Sequence, residues 1–195
     1  PVDESVGAIE AEGLALFDSG GQYPGATTDI TRTVACGPLS DRMRRDYTLV
    51  LMGLVDLSRQ IFAQGAKGSS LDPLARRALW MEGLDFRHGS GHGVGSYLNV
   101  HEGPCGFSLR SDYPLKPGMA LTIEPGLYRE GEYGIRIENM VLVEEACDTE
   151  FGKFLRFRTV TLVPFDRRAV EVEMLSPEPI ERIPRYHRPV SGKLS

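Results

Sequence analysis

No apolar run in these 195 residues approaches the ~20 needed for a membrane-spanning helix, so a helical membrane function is not expected. Basic residues are also in deficit. There are 22 Lys and Arg against 27 Asp and Glu, a net charge of -5 and a pI of about 5.4. A nucleic-acid-binding surface would normally be basic, so none is expected. Cysteine is scarce: Cys36, Cys105 and Cys147 are an odd, scattered set without CxxC spacing. That suits free thiols in a reducing, cytoplasmic compartment better than a disulfide framework. The acidic start, PVDESVGAIEAEG, does not read as a signal peptide. Histidine is rare too, with four in the chain, yet three of them (His88, His92 and His101) fall in or just before GSGHGVGSYLNVHEGP, residues 89–104.

What is present is ordinary for a globular chain: 41% apolar and 25% charged residues, with enough length for one domain and its core. ALFDS (15–19) and TTDITRTVA (27–35) flank GGQYPG and read as a β-hairpin. Ser40 caps a long helix expected over 41–64. Met43, Tyr47, Val50, Leu51, Leu54, Leu57 and Ile61 recur at threes and fours along it, and Gly65 ends it. Asp72-Pro73 reads as the cap and first turn of a second helix, closed by Gly83. A glycine-rich loop region is expected over 89–118. Strands are expected at 120–126, 134–145 and 156–165, then one short helix and an extended tail from 166. Hairpin-linked strands with helices between them favour an α+β fold.

Four acids sit conspicuously on those strands. Asp18 and Asp29 lie on paired hairpin strands and can share a face. Glu124 ends LTIE before a Pro-Gly break, and Glu138 lies within the apolar IRIENMV with Arg136 two residues before it. A buried carboxylate is costly unless it is paired or bound to a cation. With His92 added, the set is rich in oxygen and suits divalent ions such as Mn²⁺, Co²⁺, Fe²⁺ or Zn²⁺. Two such ions held by bridging carboxylates can activate one water and polarise a carbonyl. Spacing alone leaves solvated surface acids as an open alternative.

LFDSGGQYPGATTDITRTV, RHGSGHGVGSYLNVHEGP, LTIEPGLY and GIRIENMVLV occur in the order found in the pita-bread metallopeptidases, the family of methionine aminopeptidase, prolidase and Xaa-Pro aminopeptidase. The chain resembles that family over residues 13–165. The GHGVGSYLNVHEGP block, TLVPFDRRAVEVEMLSP and YHRPV are similar to the cytosolic-type Xaa-Pro aminopeptidase branch. The resemblance implies a pita-bread catalytic domain over 1–165 and a C-terminal extension over 166–195.

It further implies metal ligation by Asp18, Asp29, His92, Glu124 and Glu138 to two ions, Mn²⁺ foremost, with Asp29 and Glu138 bridging. His101 would assist proton transfer and stabilise the developing oxyanion, Glu124 would shuttle a proton, and His88, His101 and Tyr128 would face the peptide. Arg136 would orient the last ligand. A peptide with proline second is the implied substrate, and a homodimer the implied assembly. In the same branch a large domain, a helix, strands and another active-site histidine come before the first aspartate. Here seventeen residues precede Asp18, and none is His. The expectation is therefore a fold incomplete on its N-terminal side, with exposed sheet edges. A prolidase that cuts Xaa-Pro dipeptides, a non-catalytic binding module of the same fold and a metal-free creatinase-like hydrolase are the competing readings.

Overall fold

The computed structural model describes residues 9–97 and 99–175. Among the described residues, ten strands and two α-helices make an α+β arrangement in which every strand pairing is antiparallel. Strands β1 (Leu14–Tyr23) and β2 (Ala26–Ala35) form the hairpin. The turn is shorter than expected. Gly20–Tyr23 pair within the ladder, and only Pro24 and Gly25 turn the chain. Proline fixes φ near -65° and Gly25 takes φ 79, the combination a type II turn requires.

Helix α1 spans Asp41–Ser58, with the Ser40 hydroxyl accepting the Met43 N–H at 3.2 Å. Tyr47, Val50, Leu51, Leu54 and Leu57 are buried as the periodicity predicts. The helix ends six residues before the expected boundary at 64. Residues Ile61–Ala63 leave it to become β3, which pairs with β10 (Gly152–Thr159). Tertiary pairing overrides helical periodicity there: Phe62 is buried opposite Leu155, while Ile61 is 59% exposed. Helix α2 spans Gly68–Trp80 and begins earlier than expected. Its first turn is satisfied from outside, the Ser69 N–H donating to the Ser111 carbonyl at 3.0 Å. Asp72 is therefore no cap; it lies inside the helix, fully buried and ion-paired with Arg76.

The region 89–118 is not all loop. Strand β4 (Gly91–His92) pairs with β5 (Gly106–Phe107), and a Gly93–Leu121 bridge ties β4 to β6 (Ala120–Ile123). The expected strand 134–145 is two strands, β8 (Tyr133–Arg136) and β9 (Asn139–Thr149), broken at Ile137 and Glu138. The break exists because β8 turns back to pair with β7 (Gly126–Arg129), while β9 joins a four-stranded sheet in the order β3-β10-β9-β6. Strand β10 starts at Gly152 and ends at Thr159, ahead of the expected 156–165. Two short 3₁₀ turns, Arg167–Ala169 and Val172–Met174, stand where one helix was expected, and the extended tail and its YHRPV motif lie outside the described residues.

The apolar faces of α1 and α2 close over Leu121, Ile123, Ile135, Ile137, Val141, Val143 and Leu155 in one core. The three cysteines are free thiols. Among the described residues no helix is long and apolar enough to cross a membrane.

Candidate metal centre

The hairpin, β4, the end of β6 and the break before β9 meet at one place. Asp18 lies opposite Thr31 in the ladder, and Thr31 is two residues from Asp29, so all three share a face. Ligand atoms of Asp29, His92 and Glu138 lie within 4.8 Å of one another. The His92 Nε2 is 3.3 Å from both Asp29 Oδ2 and Glu124 Oε1. Its Nδ1 is 2.8 Å from the Gly93 carbonyl. A proton on Nδ1 donated to that carbonyl leaves the Nε2 lone pair facing the carboxylates, the tautomer a metal ligand needs.

Close approach explains the glycines around His92. A Cβ on Gly91 would lie 2.0 Å from the Thr122 carbonyl, so only glycine lets β4 lie this close to β6. The Glu124 N–H in turn donates to the Ser90 carbonyl at 2.8 Å. Two threonines complete the frame. Thr31 donates to Glu138 Oε2 at 2.8 Å; Thr122 donates to Glu124 Oε1 at 3.0 Å and accepts the His92 N–H at 3.1 Å. Neither threonine is a candidate on residue type. Each stands two residues from an acid on its own strand segment, the one signal the sequence holds for them. Arg32 is a further unforeseen part, donating to the Glu138 carbonyl and, at 2.8 Å, to Asn139 Oδ1.

The electrostatics fit a cation. Burial pushes the Glu138 carboxyl up to about 8, with the negative charges of Glu124 and Asp29 adding to it and the Thr31 hydroxyl opposing. Burial raises Glu124 as well, against His92, Thr122 and Arg136. Burial alone would lower the His92 imidazole, but the Asp29 hydrogen bond, the Gly93 carbonyl and the Glu124 charge outweigh it and raise it. A buried crowd of acids that resist joint ionisation is the donor set a hard or borderline divalent ion would relieve.

The other expected residues sit around this cluster. Asp18 is apart from it: its side chain is 48% exposed and ion-paired with Arg136. Arg136 does not reach Glu138 directly. Its Nε donates to Thr31 Oγ1 at 3.2 Å, and Thr31 holds Glu138. The strand breaks between Arg136 and Glu138, and the two side chains meet at the Thr31 hydroxyl instead of lining one regular strand face. Tyr128 connects two of the set, its hydroxyl lying 2.8 Å from His88 Nε2 and accepting from Arg136 at 3.1 Å. His101 is exposed, its ring centroid 4.0 Å from that of His92. His88, His92, His101, Glu124 and Arg136 line one open cavity of about 430 Å³. Burial lowers the His88 imidazole, and the cations Arg136 and Arg76 lower it further against the Gly89 carbonyl.

A model of metallopeptidase family M24 matches residues 2–145, and one of the C-terminal region of peptidase M24 matches residues 153–195. The chain belongs to metallopeptidase family M24. This M24 chain is 44% identical over 194 residues to Xaa-Pro aminopeptidase 2 from Homo sapiens, covering 100% of the chain and 29% of that protein. The X-prolyl aminopeptidase from Caenorhabditis elegans, described as a cytosolic enzyme with a di-nuclear active site, superposes with a TM-score of 0.87 at 45% identity. That match covers 92% of the M24 chain and 30% of the enzyme. The prolidase from Pyrococcus furiosus gives a TM-score of 0.64 at 36% identity over 69% of the M24 chain and 39% of the prolidase. The fold is thus the α+β pita-bread fold, and the M24 chain spans under a third of the length of the aminopeptidases it matches. Asp29, His92 and Glu138 form a group that could hold a metal ion, as suits a metallopeptidase family.

Proposed function

We propose that this chain carries the metal-binding part of an Xaa-Pro aminopeptidase, which releases the first residue of peptides with proline second. The observation that carries the reading is the convergence of Asp29, His92, Glu124 and Glu138 beside a cavity rimmed by His88 and His101. Asp18, Asp29, His92, Glu124 and Glu138 would hold two divalent ions, Mn²⁺ foremost. When bound, such ions acidify water and polarise a peptide carbonyl. Asp18 would have to turn from Arg136 to join the set.

The chain's own groups then have separate tasks. Glu124, raised by burial, holds and passes a proton at Oε1 or Oε2. His101, exposed beside His92, donates to the oxygen on which charge develops. His88 and Tyr128, joined at 2.8 Å, form the wall that meets the residue after the scissile bond. Arg136 orients Glu138 through Thr31. Residues 1–165 make up the catalytic domain and 166–195 its extension, whose described part docks on α1 through buried Ala169 and through the Glu171 N–H to Thr48 Oγ1 at 2.8 Å. A cytoplasmic location and a homodimer complete the proposal. The description of the nematode relative as cytosolic supports the first. Sedimentation would test the second.

The Pyrococcus furiosus likeness keeps one other enzyme in view, a prolidase acting on dipeptides. After loading with Mn²⁺, the chain is expected to cleave an Xaa-Pro-Xaa tripeptide and to leave an Xaa-Pro dipeptide intact. The reverse preference would make it a prolidase. Loss of the tripeptide cleavage in a chelator is expected, and persistence would sink the metal-dependent reading. Asp29→Ala is expected to abolish turnover.

A further inference from the structure

Between Leu84 and Gly91 the chain runs in neither helix nor strand, yet it delivers His88 to the cavity and Ser90 to the backbone of Glu124. Its carbonyls are gathered by one side chain of α2. Arg76 donates through Nε to Asp72 Oδ2 at 2.7 Å. Its other nitrogens reach Asp85 Oδ1 at 2.8 Å, the Phe86 carbonyl at 2.7 Å and the His88 carbonyl at 2.6 Å. The guanidinium also lies 4.0 Å over the Phe86 ring, and that ring stands 4.8 Å from the His88 ring. Arg76 is 4% exposed and Asp72 fully buried.

A buried ion pair is weak evidence for stability, because desolvation offsets most of the attraction. Here the fork serves a segment with no secondary structure of its own. A planar guanidinium can hold a carboxylate on one edge and loop carbonyls on the other; a lysine, with donors at a single point, cannot.

We propose that Arg76, fixed by Asp72, is the positioning residue of the cavity's histidine edge, setting the height and tilt of the His88 ring toward a bound peptide. Arg76 contacts the Asp85 carboxylate, the backbone of residues 86 and 88 and the face of Phe86, so its own effect reaches the site at His88, while Asp72 also accepts the Ser90 N–H at 3.3 Å. The peptide in this inference rests on the proposed peptidase reading; the placement of the ring does not.

Two variants of the full 195-residue chain test it. R76K keeps the charge and loses the fork. D72N/R76Q removes both charges together, so no buried ion is left alone if R76K does not fold. Imidazole ¹H–¹⁵N spectra of the metal-free chain, with His88 identified through H88N, report the ring without any turnover. The His88 signals are expected to move in each folded variant while those of His92 stay. Mn²⁺ affinity should remain within about threefold, and KM for an Xaa-Pro tripeptide should rise about tenfold with kcat less affected. Unmoved His88 signals would overturn the inference. So would equal displacement of His88 and His92, or failure of both variants to fold, since either would make the pair a general packing element. If the unaltered chain cleaves no peptide, the function reading fails for this chain, and the spectra still decide the role of Arg76.

Discussion

Glu138 sits where the site's electrostatic conflict is greatest. It is 2% exposed, faces two other acids and has the Thr31 hydroxyl as a direct donor to Oε2. Its folded-state value of about 8 lies above that of an exposed glutamate. The stability it contributes to the metal-free chain is therefore fully present below the unfolded value near pH 4 and is lost as pH rises through about 8. Melting of the metal-free chain at pH 5 and pH 9 should show this loss, and Glu138→Gln should reduce it. A pH dependence unchanged by the substitution would mean that another group dominates. Metal binding follows the opposite course, because ligands must shed protons first. Mn²⁺ affinity measured by calorimetry is expected to fall steeply from pH 8 to pH 5, and a flat profile would count against carboxylate and imidazole ligation.

At the scale of elements, the short strand β3 is the clearest test of packing against periodicity. Ile61 continues the helical stripe of α1 in sequence, yet it faces solvent, while its neighbour Phe62 fills the core beside Phe157 at a ring separation of 4.8 Å. Phe62→Ala is expected to cost about 3 kcal/mol in urea unfolding, whereas Ile61→Thr should stay within roughly 0.5 kcal/mol. Comparable costs for the two would restore the longer helix. The break at Ile137 and Glu138 was hidden for a related reason. GIRIENMVLVEE is apolar enough for one continuous strand, and only competition between β7 and β6 for its two halves divides it. The Asp72-Pro73 pair has the chemistry of a helix start, but loop 108–115 completes an earlier turn and leaves Asp72 to bind Arg76 inside.

For the whole molecule, ligand and fold are linked. Any ion that binds the assembled ligands and not the unfolded chain raises stability by mass action, by about 2.7 kcal/mol when free ligand is 100 times Kd. A rise in melting temperature with Mn²⁺, reversed by chelator, is the expected outcome. Stoichiometry after desalting should approach two ions per chain. An unchanged melting temperature would mean that these ligands do not bind an ion together in this chain. Asp18 decides much of this, since its pairing with Arg136 leaves it outside the Asp29, His92 and Glu138 group.

The sequence by itself singled out Asp29, His92, Glu124 and Glu138, which the fold brings together, the capped start and buried stripe of α1, and the hairpin that puts Asp18 and Asp29 on one face. These depend on residue type and on periods of two and 3.6, which are local properties. Tertiary structure alone decided where α1 ends and where α2 begins, the split of the strand around Glu138, and the threonines and arginines that orient the ligands. Those depend on which distant group comes to satisfy a donor or an acceptor: the Thr31 hydroxyl for the Glu138 carboxylate, the Ser111 carbonyl for the Ser69 N–H and Arg76 for the His88 carbonyl. The first of these pairings joins residues 107 positions apart, and no local pattern records it.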